Sequence, residues 1–509
     1  MIRYKSILIP CLALVLLTSC EKDLDQVPLS SGTTENFYAT ENDFIQARNA
    51  TYSLTFHGSG TYGYANRILN LSETRSDNLY ATTQASRTWE GINNFFTSIN
   101  SNAYIEEAYT TNFNAIYKAN QLLEKLDENG EIIPLENDRT LMRAEARFLR
   151  AFCYFDLVRW FGKVPLLDRT VTPQEASEIG RSPVSDIYDL IISDLQFAIE
   201  NLPETYEGSE YGRITRYGAK GILALVHMTR SSPDYGIDGP GLDLNEWDQA
   251  YQQLNDIKNS GQYGFESSYD SIFRVEGTVN KENILVIPYG SNTGDGVGGN
   301  FPVEVTSDQY FASFGLSDQG ALERRPISSE FRQKFAPEDE RAQFGIVDTF
   351  SVDSGRHEGF YNEPIFIKYA DDSRYGDGRT DWGVDFIVLR YTDVLFLMAE
   401  CTLHGGGGTQ ADVDKIVNDV RERAGLARDA SNVTLEELFA ERRKEFFSEG
   451  TRWFDLYRSG NAVSIMNAWK SEVDNENSVN NIDENSLLYP IPLQELLSTP
   501  GLYEQNPGY

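Results

Sequence analysis

The chain has 509 residues, with 77 acidic against 44 basic side chains, a net charge of −33, and 40% hydrophobic and 12% aromatic content. That composition excludes a disordered chain and supplies apolar surface for a large core. So negative a field repels phosphate backbones and anionic headgroups, which excludes nucleic-acid binding and attachment through a basic patch.

In chain order, Arg3 and Lys5 precede an apolar run from Ile7 to Leu17, and small residues then lead to Cys20. This is the anatomy of a secretory signal over residues 1–19. The run covers 11 residues, whereas a membrane-spanning helix needs about 20. The stretch Leu17-Thr18-Ser19-Cys20 resembles the lipobox of bacterial lipoproteins, which makes Cys20 the acylated first residue of the mature chain. Each buried methylene of such an anchor contributes roughly 0.8 kcal/mol, and stable anchoring needs two or more acyl chains. Removing the signal takes two basic and no acidic residues, so the net charge moves from −33 to −35. Cys11 leaves with it; Cys153 and Cys401 sit in apolar helical patterns and read as buried free thiols.

The first strong helical stripe runs from Ala108 to Leu126, through Phe113, Ile116, Tyr117, Ala119, Leu122 and Leu123. A second, Arg139 to Phe161, carries Leu141, Ala144, Phe148, Phe152 and Phe155 and stops at Gly162 and Pro165. Ser182-Pro183 reads as an N-cap with proline at the first helical position, opening a stripe from Ile187 to Leu202. Further helices follow from Thr215 to Arg230 and, capped by Asn245, from Trp247 to Ile257. Paired amphipathic helices bury their faces by stacking, so a tetratricopeptide-like array is expected, although the sequence shows no repeat of fixed period.

Between Gly264 and Asp385 the helical period fails, and Gly-rich runs alternate with short apolar pieces such as Ile284 to Tyr289. A loop-rich insertion of that length, rich in aromatics, reads as ordered and functional. Helical pattern returns from Leu389 to Leu403 and from Asp412 to Ala424, and Thr434 with Glu437 forms a capping box for a helix reaching Gly450. The tail from Leu488, punctuated by Pro490, Pro492, Pro500 and Pro507, is expected to run extended along the surface. The fold expected is mainly α: stacked helix pairs with a loop-rich insertion containing short strands. Its layout is one domain from residue 20 to 509, divided into an N-terminal helical half (20–263), the insertion (264–385), and a C-terminal helical half with the tail (386–509).

Several runs carry a family resemblance. Arg390-Tyr391-Thr392-Asp393-Val394-Leu395 with Met398-Ala399-Glu400, Asn418-Asp419-Val420-Arg421-Glu422-Arg423, Glu441-Arg442-Arg443-Lys444-Glu445 and Gly450-Thr451-Arg452-Trp453-Phe454-Asp455 resemble the SusD/RagB family of nutrient-uptake lipoproteins. So do Ala144-Glu145-Ala146-Arg147-Phe148-Leu149-Arg150-Ala151, Phe161-Gly162-Lys163-Val164-Pro165, Gly212-Arg213-Ile214-Thr215, and the endings Tyr489-Pro490-Ile491-Pro492 and Gln505-Asn506-Pro507-Gly508-Tyr509. The resemblance implies four tetratricopeptide-like helix pairs, a lipid anchor at the outer membrane and cell surface, and a lid-like place over a SusC-like TonB-dependent transporter. It implies capture of oligosaccharides, and sometimes peptides, without catalysis. The acidic residues Glu21, Asp23 and Asp25 are similar to the surface-export signals of such lipoproteins.

Enzymatic signatures are lacking in the sequence. His57, His227, His357 and His404 are scattered without zinc-ligand spacing, and no nucleophile elbow or phosphate loop is present. The motif from Glu441 to Asp455 alternates carboxylates and guanidiniums at helical spacing and reads as architectural ion-pair ladders. No cofactor is expected; Asp234, Asp238 and Asp243, and Asp372, Asp377 and Asp381, flank glycines in loops that suit calcium weakly and do not follow the twelve-residue calcium pattern.

Sugar rings offer apolar C–H faces edged by hydroxyls, so their recognition takes an aromatic plane beside hydrogen-bonding groups. Two segments combine these: Asp77, Asn78, Tyr80, Arg87, Trp89 and Asn93 between Ser76 and Phe96, and Tyr289, Phe301, Tyr310, Tyr361 and Trp382 in the insertion. Trp89 and Trp382, flanked by polar residues, Gly and Thr, are expected to be exposed planes. Three other readings are a peptide-binding member of the family, a surface glycoside hydrolase, and a scaffold that takes no small ligand.

Overall fold

The structure is a computed structural model and describes residues 37–58, 63–80, 87–206, 208–274, 280–292, 298–316, 325–378, 380–498 and 500–509. The signal segment and Cys20 lie outside the described residues.

Among the described residues six long helices, with short helical turns between them, form the first half: α1 (Glu41–Phe56), α2 (Ala103–Asn129), α3 (Glu136–Phe161), α4 (Val184–Asn201), α5 (Arg216–Arg230) and α6 (Trp247–Asn259). The stripes read from sequence fall in α2 to α6, except that Leu202 is the cap after α4 and Tyr117, at 43% exposed, lies off the buried face of α2; α1 escapes such a reading because Glu41, Asn42, Asp43 and Gln46 dilute its apolar face. It is held at its start by a capping box in which Thr40 and Asp43 bond each other's backbone. Two predicted caps move. The residue at the α4 cap is Pro183, whose ring offers no acceptor, while Ser182 donates its backbone N–H to Val164. Glu246, not Asn245, stands at the cap of α6.

The insertion holds strand β1 (Asn283–Ile287), helix α7 (Asp308–Ser313), a hairpin of β2 (Phe350–Val352) and β3 (Gly359–Tyr361), and strand β4 (Phe386–Arg390), which returns antiparallel to β1 with Ile287 opposite Phe386. The chain then continues as α8 (Tyr391–Leu403), α9 (Gln410–Arg423), α10 (Leu435–Glu445), α11 (Arg452–Arg458) and α12 (Ala462–Val473). Leu389 and Arg390, read as helical, belong to β4, and the helix opened by the Thr434 capping box ends at Glu445 rather than Gly450.

Helix contacts run in series: α1 on α2, α2 on α3, α3 on α4, α4 on α5, α5 on α6, α6 on α8 and α8 on α9. The β1–β4 pair closes the insertion at its base, so α6 reaches across it to α8 and the stack resumes in register. Helices α2 to α6 are amphipathic and bury their stripes against their neighbours, while α8 is buried almost all round, which is why the array forms without a legible repeat.

The motif from Glu441 to Asp455 is architectural, but not as ladders along one helix. Lys444–Glu441 and Arg458–Asp455 are local pairs; the others reach far along the chain. Arg442 pairs with Asp393 and Asp455, Arg458 with Glu400, Arg452 with Asp77, and Arg443 with Glu330. Glu445 takes Arg390 and Arg423 at 2.9 and 2.6 Å, and Glu449 takes Lys368 and Arg390, each at 2.9 Å. All but the half-buried Glu330 and Lys444 are buried. Taking one partner from such a pair costs about 3–5 kcal/mol, so the network fixes where the insertion sits on the stack.

The tail is neither fully extended nor superficial. Leu488, Tyr489 and Ile491 are buried, the Tyr489 hydroxyl donates to the Leu71 carbonyl, and Leu493–Ser498 is a short helix. Cys153 and Cys401 are buried and free, as expected. Among the described residues no helix is long and apolar enough to cross a membrane.

Candidate functional site

The two segments singled out from sequence meet. Leu79 forms a β-bridge with Ile327, Tyr80 donates its N–H to the Pro326 carbonyl, and Ser328 donates to Asn78 and Asp77 carbonyls. Most of the residues named in the first segment hold that junction together. Asp77 is 1% exposed and accepts a two-pronged contact from Arg452, both at 2.8 Å. Burial opposes its charge, but Arg443 and Arg452 outweigh that and lower its carboxyl to about 2. Asn78 bonds Glu73 and Arg443, and Asn93 donates to the Thr74 and Leu79 carbonyls. Tyr80 is half-buried, with its hydroxyl on Asp474 and its ring against Trp469; Arg87 is half-buried beside Glu90.

The expectation that Trp89 and Trp382 are open planes is overturned: they are 2% and 1% exposed. Trp89 lies under the Arg325 guanidinium, and Trp382 is packed between Phe311 and Tyr375. Side chains from elsewhere in the chain pack on each ring, so an indole without an apolar stripe around it became core. Phe301 is wholly buried against Tyr369 and Phe386, and half-buried Tyr289 packs on His57 and Phe301.

Tyr310 and Tyr361 are brought together in a different arrangement, with two rings that sequence reasoning missed. Ser307 caps α7 by accepting from the Tyr310 N–H. Helical spacing then turns Phe311 inward onto Trp382 and sets Tyr310 and Phe314 one turn apart, their rings 5.0 Å apart and edge to face. In the hairpin, Phe350 stands opposite Tyr361 across β2 and β3, and their rings stack at 4.9 Å and 11°. Tyr310 meets the Phe350 ring edge-on at 5.4 Å. A continuous run Phe314, Tyr310, Phe350, Tyr361 results. Phe314 is 50% exposed, and Phe360, on the other face of the hairpin, is 69% exposed.

Hydrogen-bonding groups border the rings. Burial pushes the Tyr310 hydroxyl up, with Arg274 opposing and Asp372 adding to the shift. Arg274 is fixed by donating to the Lys368 and Ala370 carbonyls, and the Tyr361 hydroxyl donates to His357. The signal that could have found Phe314 and Phe350 was present: Ser307 as a cap four residues ahead of Phe311, and aromatics flanking a Gly-containing turn. Three of the six Asp residues in the calcium-like loops have protein partners. Asp238 pairs with Lys163, Asp234 accepts from Gly236, and Asp381 accepts from Asn292 and Asp377. Among the described residues no group of three or more metal-binding side chains occurs.

The structure thus joins a serial helix stack to an insertion that carries a part-exposed aromatic run. The family described as "SusD family" matches residues 316–509, and that described as "Starch-binding associating with outer membrane" matches residues 53–228. A SusD-like protein of Formosa agariphila is 27% identical, covering 100% of both chains. The starch-binding protein SusD of Bacteroides thetaiotaomicron is 29% identical over 28% of this chain and 24% of its own. Among solved structures, surface glycan-binding protein A from Bacteroides thetaiotaomicron in complex with laminarihexaose shares the fold with a TM-score of 0.76 at 20% identity, covering 92% of this chain and 100% of that one. The chain belongs to the SusD/RagB family.

Proposed function

We propose that this protein captures oligosaccharides at the cell surface and hands them, unaltered, to a SusC-like TonB-dependent transporter, tethered to the outer membrane through acylated Cys20. The observation that carries the reading is the run Phe314, Tyr310, Phe350, Tyr361, part-exposed and bordered by Arg274 and Asp372. Apolar planes beside fixed donors and acceptors suit the two faces of a pyranose. The family's description as starch-binding and the laminarihexaose complex of a protein with a similar fold support a glycan over a peptide.

Titration calorimetry against a panel of neutral oligosaccharides tests capture. Phe314→Ala and Tyr361→Ala should each weaken binding about tenfold, the loss of roughly 1–1.5 kcal/mol of ring contact. Unchanged affinity in both variants would remove the aromatic run from the site. Cys20→Ser should release the protein from the membrane fraction; retention there would remove the proposed tether.

A further inference from the structure

A second cavity lies away from the aromatic run, where the loop after α12 meets the end of the chain. Its volume is about 310 Å³, and Phe95, Thr97, Asn480, Asn481, Asn485 and Tyr509 are among its lining residues. At roughly 30 Å³ of liquid per water it has room for about ten waters, whereas the cavities between the helices measure about 40 and 10 Å³.

Its walls are pinned from below by one buried guanidinium. Arg75, 1% exposed, lies 4.0 Å over the Phe95 ring and 4.7 Å over Tyr489. It donates to the Ile92 and Ser486 carbonyls and to the Tyr509 hydroxyl at 3.2, 2.8 and 3.2 Å. Tyr509 in turn donates to the Leu488 carbonyl, Asn480 donates its N–H to the Asn94 carbonyl, and Asp483 and Ser486 cap each other. Gly508, at φ +95°, lets the chain end lie against Asn485, whose Cβ stands 3.0 Å from where a Gly508 side chain would begin. A groove held this way needs little reordering when it binds.

Three side-chain amides at the groove are uncommitted. The side chains of Asn480, Asn481 and Asn485 make no hydrogen bond to other described residues. Each amide donates two hydrogen bonds and accepts through its carbonyl, so three of them around one cavity match vicinal hydroxyls, which both donate and accept. Asp483 adds a carboxylate, and Lys470 directs its ammonium to the Asn480 carbonyl. With a net charge of −33 besides, the groove disfavours anions.

We propose that this amide-lined groove is a second oligosaccharide subsite, selective for a neutral chain, separate from the aromatic run. The proposal rests on the reading of the protein as a glycan-capture protein. The test is calorimetric titration of the mature protein with neutral hexaoses of glucose, mannose and xylose, and with a hexauronate. The combined variant Asn480→Ala, Asn481→Ala, Asn485→Ala alters exposed or half-buried side chains and leaves the Arg75 scaffold intact. For the hexaose that binds, the native chain should take two molecules and the combined variant one, with the remaining affinity unchanged within about twofold. Asn481→Trp, which fills the groove, should do the same. Phe314→Ala should weaken the other event. A combined variant that titrates like the native chain, or a hexauronate that binds the groove more tightly than any neutral hexaose, overturns the proposal while capture at the aromatic run stands. Absence of binding by the native chain to every neutral hexaose overturns both.

Discussion

Replacing Asp77 by Asn separates structural burial from ligand contact at a residue that sequence places in the binding segment. The substitution keeps size and removes the charge that Arg452 meets at 2.8 Å through both nitrogens and Arg443 at 3.2 Å. With its carboxyl lowered from 3.8 to about 2, and about 1.4 kcal/mol per unit, the ionised form stabilises the fold by roughly 2–3 kcal/mol at neutral pH. Removing one partner from a buried pair costs about 3–5 kcal/mol. Arg443 keeps Glu330 as a second partner, which favours the lower end of that range. At about 2.1 cal/mol/K per residue, a mature chain of about 490 residues unfolds with roughly 1 kcal/mol/K of entropy, so Tm should fall by about 3 °C in differential scanning calorimetry. Because the folded-state carboxyl is depressed, its stabilisation is complete above the unfolded value of 3.8 and is lost as pH falls through about 2. The gap between native and variant should therefore hold from neutral pH to about 4 and narrow below it. Glycan affinity of the folded variant should be unchanged. A Tm within about 1 °C of native, together with lost glycan binding, would refute the assignment of Asp77 to the framework.

Trp382→Ala empties a site 1% exposed between Phe311 and Tyr375; unfolding calorimetry should show a loss of about 3–5 kcal/mol, and a change below about 1 kcal/mol would contradict its burial. Burial, opposed by Arg67, raises the Glu107 carboxyl from 4.5 to about 7. A raised acid contributes stability that is present below 4.5 and lost as pH rises through about 7, so Glu107→Gln should match native at pH 4 and exceed it at pH 8 by about 1–2 kcal/mol after allowance for solvent screening. Equal Tm values of the two proteins at pH 8 would contradict it. Gly162→Ala should destabilise markedly in denaturant unfolding, because φ is +66° and the new Cβ would stand 2.4 Å from the Asp238 carbonyl oxygen; a native-like midpoint would show that the turn yields.

The sequence by itself determined the helices from α2 to α6, α8 and α9, and the Thr434 capping box, because apolar periodicity and caps act within a few residues of the chain. It also marked the two segments that meet at Leu79 and Ile327. It did not determine which rings face solvent. Trp89 and Trp382 have polar neighbours and are buried, whereas Phe314 and Phe350 join an accessible run, because exposure depends on what distant segments fold over each ring. The charges of the motif from Glu441 to Asp455 likewise read as local pairs, yet their partners Asp77, Asp393 and Glu330 lie far away in the chain. Only the tertiary structure decided those contacts: a helix is specified by neighbours four residues apart, but a buried charge or an open ring is specified by whatever the rest of the chain brings against it.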